Sequence, residues 1–200
     1  QVKGLTTTQM NELSTAQIGV MTAAQLGALT TAQFAAMSTT NLAELTTAQV
    51  ARLTMYEVGS LSTTQLSALG TENLAALSVA QVRGLTTTQV SELSTTQISV
   101  MTAAQLGAMT TRQFASLSTT NLGSLTSTQL ANVTAAEVGS LSVAGLSALG
   151  TANLAALRTV QVAGLTTTQI AGLSTTELTS LGATNLGALS ATQVRGLTTT

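Results

Sequence analysis

The side chains able to carry chemistry in this chain are few and scattered. Its seven acids are all glutamates, Glu12, Glu44, Glu57, Glu72, Glu92, Glu137 and Glu177, and its six cations are Lys3, Arg52, Arg83, Arg112, Arg158 and Arg195. Histidine and cysteine are absent, so no Ser-His-Asp or Cys-His relay can be assembled. The glutamates never cluster in the sequence and give a divalent cation no set of oxygen ligands. No catalytic, cofactor-binding or metal site is expected, and no enzyme. Lys3 with Glu12 and Arg83 with Glu92 share a nine-residue offset that could bring each pair onto adjacent helices. Such exposed pairs contribute about 0.2–1 kcal/mol at most. Phe34 and Phe114, eighty residues apart, read as core filling rather than as a ligand pocket.

Surface chemistry is equally sparse. A formal charge of -1 excludes the basic stripe that phosphate neutralisation needs, so no nucleic-acid partner is expected. Apolar runs such as Phe34 to Met37 are far too short to span a bilayer, and no cationic amphipathic face is present. No membrane insertion and no signal peptide are read. What remains is hydroxyl: runs such as Thr6, Thr7 and Thr8 would give a regular threonine face able to meet a surface, ice or polysaccharide.

These residues are positioned by one eight-residue sentence repeated along the chain, Leu-Thr/Ser-x-x-Gln-Val/Leu-x-x. An apolar residue recurs at Leu5, Leu13, Met21, Leu29 and so on to Leu197, and a second sits five places after each, from Met10 to Val194. Self-similarity at a fixed period marks an array whose units pack on their neighbours. The residue after the first apolar one is Thr or Ser in 21 of 25 octads, the exceptions being Gly70, Gly150, Arg158 and Gly182. Three places later stands Gln, Asn or Glu in 24 of 25, Gly145 being the exception. That pairing is a capping box: the hydroxyl accepts from the first helical turn, and the Gln reaches back to the cap amide. In the same frame Leu5 and Met10 form a hydrophobic staple, the residue before the cap packing on the fourth helical residue. Glycine just before the next staple residue, as at Gly4, Gly84, Gly164, Gly172 and Gly196, suits a left-handed helix end.

The predicted fold is therefore an all-α solenoid of very short capped helices, one per octad, with a β-solenoid as the rival. Apolar spacings of five and three are odd, whereas one face of a strand requires even spacing. A longer period overlies the octad. Asn41, Asn73, Asn121, Asn153 and Asn185 are separated by multiples of sixteen, as are Gly70, Gly150 and Gly182. That spacing predicts two helices per sixteen-residue coil. Residues 1–200 then form a single continuous array of 25 octads, about 12.5 coils, cut from a longer one.

The repeats LTTTQV and LSTTQL resemble octapeptide tracts of very large bacterial secreted or cell-surface proteins, often labelled adhesin-like or haem-utilisation-like. The resemblance implies an extracellular structural segment of a giant protein. A haem role has no residues behind it, since no His, Cys or Tyr cluster could ligate iron. The expected function is structural: a rigid extracellular rod serving as adhesin stalk or as material of a filament or sheath, with lateral or end-to-end self-association. A Thr-faced module for ice or polysaccharide is the alternative.

Overall fold

The computed structural model describes residues 2–197, the side chain of Lys3 excepted. Among the described residues there are twenty-four α-helices of four to six residues, from Thr7–Glu12 to Ala191–Arg195, and no strand. The all-α expectation holds and the β-solenoid falls. Twenty of these helices start where the cap hydroxyl predicts; the helices beginning at Gly70, Gly150, Thr159 and Gly182 have none. At Ser94 the backbone is extended (φ -75°, ψ 160°), its hydroxyl accepts the Gln97 amide at 3.2 Å, and Gln97 Oε1 accepts the Ser94 amide at 2.8 Å. Helices this short have no stability of their own, so packing must hold them.

The chain divides into two compact units, Gln1–Met101 and Thr102–Thr200. Within each, a helix packs beside the third helix before and after it: Thr31–Ala35 against Met55–Ser60, Met55–Ser60 against Val79–Gly84, Ser118-capped Thr119–Ser124 against Val143–Ala148. The solenoid turn is thus three octads, or twenty-four residues, and not the two octads expected from sequence. Two such helices per turn would require the chain to reverse direction at every two- or three-residue corner. Three require only the corner of a triangle. The sixteen-residue spacing of the exceptions has no structural counterpart, since Asn41 and Asn73 lie on different faces yet both bond a carbonyl twenty-eight residues earlier.

Both apolar positions enter the core. The second is the deeper: Met10, Ile18, Phe34, Val58, Val90, Ile98, Phe114 and Val138 are fully buried, while the staple residues Leu93 and Leu117 are 5% exposed. Burying each pair stabilises an octad by roughly 3–6 kcal/mol before the entropy of ordering is counted.

The helices do not end as the glycines before the staple suggested. Among the described glycines, positive φ occurs only at Gly70, Gly150 and Gly182 (76° to 78°), three of the four positions where the cap hydroxyl is missing. There the preceding helix runs on through an α-conformation Leu, and the left-handed Gly turns the chain straight into the next helix. Gly84 and Gly164 serve another purpose. A Cβ at either would collide with a backbone carbonyl of the preceding coil, Met55 and Ala135 respectively, so these glycines allow close approach of coils.

Candidate functional site

The polar residue of each box does more than cap. Once a coil precedes it, the Gln side chain is buried: Gln89 is 2% and Gln161 1% exposed, whereas Gln9, Gln17 and Gln25 are exposed. Gln89 Oε1 accepts the Thr86 amide at 2.7 Å, and its Nε2 donates to the carbonyls of Leu61 at 2.7 Å and Val58 at 3.0 Å. Gln161 and Gln169 make the same bonds twenty-eight and thirty-one residues back, to Val133 and Leu130 and to Leu141 and Val138. One amide thus closes its own helix N-terminus and satisfies the helix C-terminus at the corner beneath. This second role was missed in sequence because its partner lies outside any local window. Asn keeps only the second half: Asn41 Nδ2 donates to the Leu13 carbonyl at 2.7 Å but is too short to reach its own cap. Arg158 has no acceptor to offer, and its helix retains only the reach-back from Gln161 at 2.8 Å.

The scattered glutamates separate into two groups. Glu12, Glu44, Glu72 and Glu92 are exposed, while Glu57, Glu137 and Glu177 occupy box positions. Among the described residues no three metal-binding side chains come together. The hydroxyl and amide of Ser174, with the Ser147 hydroxyl, hold the Glu177 carboxyl below its ordinary value of 4.5, and burial opposes them only in part. A depressed carboxyl contributes stability above its ordinary titration range and loses it as pH falls. Glu177→Gln should therefore remove part of the acid-induced destabilisation below about pH 4.5. Urea melts of both proteins from neutral to acid pH check this, and parallel pH profiles would refute it.

With a twenty-four-residue turn, the exposed faces acquire distinct chemistry. In the first unit, Thr39, Thr63 and Thr87 stack in one column beside Thr40, Thr64 and Thr88. A neighbouring face carries Tyr56, 71% exposed, and Val79. There a shallow groove of about 460 Å³ is lined by Thr31, Met55, Tyr56, Ser60 and Arg83 among others. The second unit has a hydroxyl-lined hollow of about 430 Å³ formed by Thr151, Thr175, Thr176, Thr179 and Ser180. The repeat pattern locates the threonines, whereas their columns and the approach of Tyr56 to Arg83 arise only from the twenty-four-residue turn. Phe34 and Phe114 are core, as expected.

These joints are built from one short phrase: staple, cap, two helical residues and linking Gln, as in Leu29-Thr30-Thr31-Ala32-Gln33. With the preceding Ala28 the phrase spells the name of the ALTTAQ repeat, whose family profile matches residues 1–31, 24–55, 58–103, 79–111 and 138–175. The chain belongs to the ALTTAQ repeat family. The matches run in tandem over most of the chain and make it a repeat protein. None of the curated proteins matches it. In the ALTTAQ phrase three letters have structural roles: Leu enters the core, the first Thr caps, and Gln joins coil to coil. The second Thr, Thr31, is exposed. No helix among the described residues is long and apolar enough to cross a membrane.

Proposed function

We propose that this ALTTAQ array is a structural segment of an extracellular protein, acting as an adhesin stalk or as the material of a filament or sheath. The observation that carries this reading is where the polar chemistry points. The buried amides of Gln49, Gln81 and Gln89 in the first unit, and of Gln161, Gln169 and Gln193 in the second, join a helix to the coil beneath it. Such a joint can be repeated without limit, which is what a spacer requires and what a catalytic cleft does not use. Resemblance to octapeptide tracts of secreted and surface proteins supports the extracellular placing, and the absence of cysteine fits it. The nearly neutral surface lowers the repulsion between copies and supports self-association, lateral or end to end.

The threonine columns support one alternative, a surface-binding module for ice or polysaccharide. Two measurements on the purified chain separate the readings. Sedimentation and electron microscopy over a range of concentrations should show assemblies, and an ice-recrystallisation assay with a polysaccharide pull-down should be negative. Monomers at every concentration together with ice or saccharide activity would replace the structural reading by the binding one.

A further inference from the structure

At Gln49, Gln81, Gln89, Gln161 and Gln169 the amide nitrogen donates to two corner carbonyls. Glu57 stands in that place with no proton on offer. It is 2% exposed; its Oε2 accepts the Thr54 amide at 2.6 Å, as the capping box requires, while its Oε1 is buried and meets no hydrogen-bond partner. By the register of Gln81 and Gln89, Oε1 takes the place of the donating nitrogen over the carbonyls of Leu26 and Leu29, at the C-terminal end of Ala23–Leu26. Carbonyl oxygens and the negative end of a helix are poor company for a carboxylate.

Glu177 shows how the array accommodates a glutamate elsewhere. Thirty residues before it stands Ser147, whose hydroxyl donates to its carboxylate, in the place from which Ser67 meets Gln97. Thirty residues before Glu57 stands Gly27, which offers nothing, and a Cβ there would lie 2.9 Å from the Arg52 carbonyl. The helices packed on Met55–Ser60 carry little charge: Thr31–Ala35 has none, and Val79–Gly84 has only Arg83. The corner Leu26 to Leu29 has no ionisable side chain; Tyr56 lies on the same helix as Glu57 and Arg52 in the turn before it, both exposed.

We propose that the joint between the Leu26–Leu29 corner and the Met55–Ser60 helix is closed by a proton. With Glu57 charged, the joint lacks its donor and is a weak point of the first unit. When Oε1 takes a proton from solvent, the carboxyl donates to the corner carbonyls as Gln does, and the joint tightens.

The test is amide hydrogen exchange on the full chain in chelator, read as protection factors over residues 52–61. Glu57→Gln restores the residue the other joints carry, and Glu44→Gln, at an exposed glutamate, is the control. At about pH 7.5, Glu57→Gln should raise protection by about tenfold or more over the native chain, and by far less at about pH 3, well below the ordinary carboxyl range. The control should change neither. An equal gain at both pH values, or no gain at neutral pH, would overturn the proposal. Protection restored to the native chain at neutral pH by added calcium, without effect on Glu57→Gln, would also overturn it, assigning the place to a metal ion.

Discussion

Leu93→Asp should lower the stability of its coil by about 3–5 kcal/mol, far more than any substitution on the surrounding surface. Leu93 is 5% exposed at the corner between Thr87–Ser91 and Thr95–Ser99, and its neighbour in sequence is the exposed Glu92, a like charge. An aspartate there loses the apolar contact and buries a charge. Because each helix depends on those three places away, the damage should spread through one coil and then stop. The melt should become biphasic, with part of the helical signal lost early. Ser94→Ala, which removes one cap hydroxyl, should cost about 1 kcal/mol. Ser91→Asp should cost least, although Ser91 is half-buried and its hydroxyl donates to the Thr88 carbonyl at 2.9 Å. Urea melts of the three variants side by side decide the matter. Tolerance of Leu93→Asp equal to that of Ser91→Asp would remove the staple residues from the core.

What could be read from the sequence is what short-range physics determines. A Thr or Ser followed three places later by Gln fixes a helix start because both bonds of the box close within one turn, and Thr86 with Gln89 behaves as read. The staple pair follows from the same frame, and Leu85 and Val90 are buried accordingly. Coil closure is different. Each octad finds nearly the same surroundings on any of the three faces, so copying in any multiple of eight leaves the fold intact. The sixteen-residue echo in Asn41, Asn73 and Asn121 therefore records how the repeats were copied and carries no information about the turn. Gly84 and Gly164 misled for a related reason: their constraint comes from Met55 and Ala135 on another coil, and no local rule sees it. Glu57 read as an isolated acid until the register placed it over a corner of carbonyls.

The double duty of Gln can be taken apart at Gln89. Gln89→Asn should behave like Asn41, keeping a donor over the Leu61 carbonyl while losing the reach to the Thr86 amide, at a cost of about 0.5–1.5 kcal/mol. Gln89→Glu does the reverse. It keeps the acceptor for Thr86 but sets a carboxylate over the carbonyls of Leu61 and Val58, and the residue thirty places before it is Gly59, which has no hydroxyl to give. A buried charge with unsatisfied partners should cost about 3 kcal/mol or more at neutral pH. Thr86→Ala, which touches only the cap, supplies the scale at about 1 kcal/mol. Denaturant melts at one neutral pH give the order. If Gln89→Glu is the most damaging of the three, the residue is held by its link to the coil beneath, and the ALTTAQ glutamine is foremost a joint between coils. If Gln89→Asn costs more than Gln89→Glu, capping governs the position, the inter-coil bonds contribute little, and stacking must rest on the apolar residues alone.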